Sequence, residues 1–97
     1  MLEECKALAN ETRLRILEWL KDPEANFPPG ADETAGLGVC VGFLQQKAGT
    51  SASTMSAHLA VLQRAGFVQA TRQGQWTYYR RDETRIRAFA ERLHRDL

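Results

Sequence analysis

What limits this chain most is a change of period at Gly66. Up to that glycine the apolar residues recur at helical spacing. Beyond it come two segments, Phe67–Arg72 and Gln75–Arg80, rich in β-branched and aromatic residues and so suited to a pleated surface. Gln73-Gly74 lies between them, and the glycine supplies the positive φ that a tight hairpin turn needs. Read from end to end, the pattern gives the order α-α-α-α-β-β-α: mainly helical, with one small β-hairpin, in a single domain over residues 1–97.

The helices follow from their apolar stripes and their punctuation. Leu2, Cys5, Leu8 and Ala9 share one face of the first. Asn10 is placed to cap the second, Glu11–Lys21, where Leu14, Leu17 and Leu20 are expected to form the buried stripe, widened by Ile16 and Trp19. Asp22-Pro23 ends it. Residues 22–38, with three prolines and three glycines, read as a loop of about seventeen residues where connections of roughly 4–6 are usual. Phe27, its one aromatic, is expected to pin it to the body of the domain. A short helix then covers Val39–Ala48, Gly49-Thr50 breaks it, and a further helix runs from Ser51 or Ala52 to Ala65, burying Met55, Leu59 and Leu62. Gly66 stands where a C′ glycine would end it. The last helix, from Asp82 to Leu97, carries Ile86, Phe89, Ala90, Leu93 and Leu97 on one stripe.

The net charge of +1 hides an uneven distribution. Residues 1–38 carry eight carboxylates against four cations, whereas residues 39–81 carry five cations (Lys47, Arg64, Arg72, Arg80, Arg81) and no carboxylate. A stretch of that kind is a candidate face for phosphate, and equally a chance feature of a modestly charged chain. Two short helices around a Gly-containing turn, followed by a hairpin with basic residues, outline a winged helix-turn-helix. The second helix of such a unit must start with small polar side chains so that its backbone can approach the major groove. Ser51, Ser53, Thr54 and Ser56 meet that requirement, and the positive end of the helix dipole lies there too. Arg72, Gln73, Gln75 and Arg80 are expected at the hairpin tip, to reach the DNA backbone or minor groove. The competing reading is that the Ser/Thr cluster merely caps its helix, and that the unit is a protein–protein module without specific DNA binding.

Three ordered motifs resemble one family. Leu8-Ala9-Asn10-Glu11-Thr12-Arg13-Leu14-Arg15-Ile16-Leu17 resembles the entry into the second helix of ArsR/SmtB regulators. Ser53-Thr54-Met55-Ser56-Ala57-His58-Leu59-Ala60-Val61-Leu62 is similar to their recognition helix, and Arg72-Gln73-Gly74-Gln75-Trp76-Thr77-Tyr78-Tyr79 to their wing. The resemblance covers nearly the whole chain. It implies a dimeric, sequence-specific repressor that binds double-stranded operator DNA and leaves it when an effector binds. Two positions depart from the pattern: Ala52 and Gln75 replace a common Gln and a common Arg, so the operator sequence cannot be carried over. His58 matches the motif but reads as a packed or hydrogen-bonded residue. Relatives dimerise through their terminal helices. The resemblance thus implies an interface of Leu2, Cys5, Leu8, Ile86, Phe89, Leu93 and Leu97, which could otherwise simply close the monomer's core.

The same resemblance argues against a metal. Gly38-Val39-Cys40-Val41-Gly42-Phe43-Leu44 is similar to the family's metal box, but only Cys40 survives. Gly42 stands in place of the second thiolate and Phe43 in place of the acidic ligand. One thiolate cannot hold a soft ion tightly, since zinc takes four ligands. On the last helix Thr84 and Arg95 occupy the positions of the two histidines of the other family site. His94 is one residue off, about 100° round the helix. No cofactor is expected. Cys40 reads as a small buried apolar residue, as half of a thiol sensor with Cys5, or as a bystander to an organic effector met by the Phe27-Pro28-Pro29 loop. The effector's identity stays open. Nothing resembles a nucleophile with an adjacent base, so no enzyme is expected. The acidic, helical N-terminus and the lack of any long apolar run point away from a membrane and toward a cytoplasmic protein with reduced thiols.

Overall fold

The computed structural model describes residues 1–31 and 36–97. Its first three helices are α1 (Leu2–Leu8), α2 (Glu11–Lys21) and a single turn, α3 (Pro23–Asn26). Strand β1 (Val39–Cys40) leads into α4 (Val41–Ala48) and α5 (Ala52–Arg64). Strands β2 (Val68–Gln73) and β3 (Trp76–Arg81) precede α6 (Glu83–Asp96).

Three helices, α2, α5 and α6, begin on side-chain caps, and of these the sequence marks Asn10 and the Ser/Thr run at Ser51 as caps and Asp82 only as the start of its helix. Asn10, Ser51 and Asp82 each accept a hydrogen bond from the backbone N–H three residues on, at 3.0, 3.2 and 3.0 Å. At the end of α5, Gly66 takes φ +90°. The Gly66 N–H then bonds Gln63 O and the Phe67 N–H bonds Leu62 O, the paired pattern that satisfies the last carbonyls of a helix. Leu62 and Phe67, both buried, close that turn from the inside.

Four expectations need correction. Leu14 does not join the buried stripe of α2; it is 49% exposed, while Ile16, Leu17 and Leu20 are buried. A step of three residues falls about 60° short of a full turn, so Leu14 lies well round the helix from the centre of that trio. The expected loop opens with the helical turn α3, because Pro23 at its first position loses no hydrogen bond and Asp22 accepts from the Ala25 N–H. Phe27 does pin this segment, buried at 7% exposure. Residues 32–35 of the expected loop lie outside the described residues.

Val39 and Cys40, expected as the start of a helix, instead form an edge strand. Val39 pairs with Tyr79 and Cys40 with Tyr78, so the hairpin becomes a three-stranded antiparallel sheet in the order β1-β3-β2. Gly38 makes this possible. It has φ +104°, and any Cβ there would run into the backbone carbonyl of Tyr79. Finally, Gln73 still pairs with Trp76, so the turn is Gly74-Gln75, one residue later than the sequence indicated.

One hydrophobic cluster draws on almost every element. Ile16, Val39, Leu44, Met55, Leu59 and Leu62 are fully buried, and Phe67 meets Phe89 of α6 edge to face at 5.4 Å. Arg81 fixes the sheet to the helices. Its guanidinium pairs with both carboxylate oxygens of Glu83, at 2.9 and 3.1 Å, and donates to the carbonyl of Leu17. Among the described residues, no helix is long and apolar enough to cross a membrane.

Candidate nucleic-acid interface

The residues between α4 and α5 set the angle at which α5 leaves the body. Gly49 adopts the left-handed conformation and Ser51 caps α5. Leu44 of α4 and Met55, Leu59 and Leu62 of α5 then anchor the pair to the core. With that stripe turned inward, the opposite side of α5 faces solvent: Ala52, Ser53, Thr54, Ser56, Ala57 and Ala60 are all exposed. From Ala52 to Ala60 no side chain on this face is longer than threonine, so another surface can come close to the backbone. Ala60 continues the face and was missed in the sequence. So was Gln63, exposed at the far end beside Arg64, which the sequence marks only by its charge; the helical period starting from Ser53 and Ser56 points to both.

The hydroxyls here form a small cluster. Ser51 accepts from the Thr54 N–H, donates to Thr54 Oγ1 at 2.9 Å and lies 3.2 Å from Ser53 Oγ. The capping role weighed for the Ser/Thr run therefore falls to Ser51. Ser53, Thr54 and Ser56 keep outward hydroxyls beside the free N–H end of the helix, where an anion is favoured.

Behind the exposed face, α5 is braced by Arg13 of α2. The Arg13 guanidinium donates to the carbonyls of Ala7 (2.7 Å) and Lys6 (3.2 Å) at the end of α1, and lies 3.2 Å from His58 Nδ1. Because guanidinium nitrogens only donate, Nδ1 must be the acceptor, and the imidazole is neutral with its proton on Nε2. Burial, and then the Arg13 charge, hold His58 below its ordinary pKa.

On the sheet, Arg72, Gln73 and Gln75 cluster at the exposed hairpin tip, with Arg72 bonded to the Gly74 carbonyl at 3.3 Å. Arg80 does not join them. It pairs with Gln69 in the register, five residues and about 17 Å of strand from Gln75. There it donates to Gln69, which donates in turn to Asp82. That second bond and the Arg85 N–H hold the Asp82 carboxyl below the usual range, the backbone bond being the larger cause.

The five cations of the acid-free stretch thus divide. Lys47 sits over the rings of Trp19 and Phe27, at 5.5 and 5.9 Å, while Arg80 and Arg81 are tied into local networks. Arg64 and Arg72 are exposed without an acidic partner among the described residues.

The terminal helices divide too. Leu2 and Leu97 are 67% and 95% exposed, and Leu14 adds a third uncovered apolar side chain. Cys5, Leu8, Ile86 and Leu93 are half-buried against the core, while Phe89 is spent inside it on Phe67. Cys5 lies beside the Met1 sulfur on α1, and Cys40 on the edge strand. Among the described residues, no cluster of three or more His, Cys, Asp or Glu could hold a metal ion.

No family model matches the chain. It is 44% identical to the HTH-type transcriptional regulator YbzH of Bacillus subtilis, over 99% of this chain and 97% of that protein. It is 37% identical to the transcriptional activator HlyU of Vibrio cholerae, over 93% of this chain and 70% of that one. Among solved structures it superposes with a TM-score of 0.66 on a homodimeric winged helix-turn-helix DNA-binding domain from Mycobacterium bovis, described as that of a possible ArsR-family regulator. The two are 31% identical, over 98% of this chain and 77% of that one.

Proposed function

Since this chain belongs to the ArsR family of winged helix-turn-helix transcriptional regulators, we propose that it binds operator DNA as a homodimer and represses transcription until an effector releases it. The observation that carries this reading is the outward face of α5. Six small side chains and no carboxylate stand over a fully buried stripe of Met55, Leu59 and Leu62. A helix held so firmly from behind and so bare in front suits insertion into a major groove about 12 Å wide.

In this reading Ser53, Thr54, Ser56 and Ala57 meet the base edges, and Ser51 and the free N–H groups beside it meet phosphate. Arg72, Gln73 and Gln75 of the wing reach the neighbouring backbone. Arg80 contributes at most from the root of the wing. Leu2 and Leu97 lead the dimer contact, with Cys5, Leu8, Ile86 and Leu93 completing it. Two subunits supply two recognition helices for half-sites about 34 Å apart. The activity is binding rather than catalysis, in the cytoplasm, with Cys5 and Cys40 as the thiols through which an effector could act.

The test is selection from a random pool of DNA duplexes by the purified protein, thiols reduced, at low salt. Recovery of a two-fold symmetric site supports the reading, and a reporter gene placed behind that site gives the direction of control. A folded dimer that recovers nothing above background would overturn it in favour of a protein-interaction module.

A further inference from the structure

The outer face of the sheet carries a groove that DNA recognition leaves unused. Side chains alternate along a strand, so Trp76 and Tyr78 of β3 project to the face opposite Tyr79 and the core. Cys40, paired with Tyr78, joins them from β1. Phe43 and Gln46 of α4 form the opposite wall, and together these residues border a space of about 460 Å³. That lies within the range of small-molecule sites, roughly 300–1,000 Å³.

Three observations narrow the occupant. Gly30 and Ala31 complete the lining, and among the described residues no Asp, Glu, Lys, Arg or His joins it, so none of these offers phosphate or a metal ion a partner there. Three aromatic rings line it, yet Trp76 is left 52% exposed among the described residues. And Gly42, second residue of α4 and part of the lining, needs no glycine for backbone reasons. Its φ is not positive, and a Cβ there would meet no atom within 4 Å. Glycine within a helix costs up to about 1 kcal/mol relative to alanine, and here it keeps the groove open.

We infer that this groove binds a small, uncharged, planar aromatic molecule, stacked on Trp76 and Tyr78 and hydrogen-bonded by Gln46. The groove spans the first helix of the helix-turn-helix and the wing strand β3 from Trp76 to Tyr78. An occupant that favours one spacing of the two therefore shifts DNA affinity, and DNA shifts the occupant's affinity by the same factor. This last consequence, not the binding itself, rests on the regulator reading.

The probe is 2-naphthol, with anionic 2-naphthoate as control, titrated into the ¹⁵N-labelled full chain. Expected is saturable movement of the Trp76 indole N–H and of the Cys40, Gly42 and Phe43 amides, with the Trp19 indole unmoved. The dissociation constant should be on the order of 1 mM or lower, as suits so small a ligand, and naphthoate should bind about tenfold more weakly or worse. Gly42→Leu fills the groove while retaining the fold, and Trp76→Ser removes its exposed wall. Each should weaken 2-naphthol binding at least about tenfold, the second read on the amides of Gly42 and Phe43. No movement up to the probe's solubility limit, equal binding by both variants, or shifts centred on Trp19 would each overturn the inference. DNA binding is measured separately on the selected site. Its failure alone would leave the groove standing without a regulatory role, and failure of the naphthol titration alone would leave the regulator reading intact.

Discussion

Behind α5, polar side chains are bound to partners across the fold. Arg13 holds two carbonyls of α1 and the imidazole of His58, and Arg81 holds Glu83 and the carbonyl of Leu17. In front of α5 and at the wing tip, among the described residues, Thr54 and Arg72 bond only within their own cap or turn, while Ser56 and Gln75 face solvent. Both sides carry polar side chains, arginine among them. What separates them is whether a side chain has already exchanged water for a protein partner. Changes behind the helix should therefore be felt as stability, and changes in front as recognition.

The largest expected effect tests the anchoring itself. Leu62→Ala removes a fully buried side chain next to the Gly66 turn and should cost about 2–5 kcal/mol in urea unfolding. DNA affinity per folded molecule should stay near wild type. A loss below about 1 kcal/mol would mean that α5 is not fixed from behind as described.

Next comes Arg81→Ala. Arg81 is only 13% exposed while Glu83 is 59% exposed, so the ion pair is discounted for solvent, and most of the loss comes from the Leu17 bond and the packing of the stem. About 1–2 kcal/mol is expected from thermal or urea unfolding. Arg72→Ala is its counterpart in front. Its stability should remain within about 0.5 kcal/mol of wild type, while DNA binding weakens for all sequences alike and the slope of log K against log[salt] falls by about 0.9 per subunit, about 1.8 for the dimer. Equal unfolding losses for the two arginines would erase the contrast.

The sequence made the front of the molecule easier to read than the back. Exposure on α5 follows from helical period: with Met55, Leu59 and Leu62 turned inward, Ser53, Thr54, Ser56 and Ala57 stand exposed. The Asn10 cap, the Ser/Thr run at Ser51 and the Gly66 stop are local signals as well. What escaped was decided by partners distant in sequence. The pairing of Val39 with Tyr79 turned an expected helix start into a strand, and only Gly38, whose close approach to Tyr79 has no local signature, marks the place. Arg80 belongs to the Gln69–Asp82 network through strand register, which charge counting cannot see. Arg13 and His58, 45 residues apart, could not be paired from the sequence, although each stood inside a quoted motif.

That pair carries the smallest expected effect and the sharpest test of the contrast, since it joins the two regions. His58 is held below the ordinary histidine value of 6.5 by burial and by Arg13, the charged group that faces it. Above pH 6.5 the imidazole is neutral whether the chain is folded or not, and the bond from Arg13 contributes fully. As pH falls below 6.5 the unfolded chain takes up the proton first, so stability is lost. The loss continues until the folded His58 titrates in turn, and then levels off. His58→Gln keeps an acceptor for Arg13 but cannot titrate in this range. Between pH 8 and pH 5 its unfolding midpoint should therefore fall less steeply than that of wild type. His94 and the carboxylates are common to both proteins and cancel in the difference. Parallel curves would mean that Arg13 does not hold His58 in solution, and that the back of α5 is braced by its apolar stripe alone.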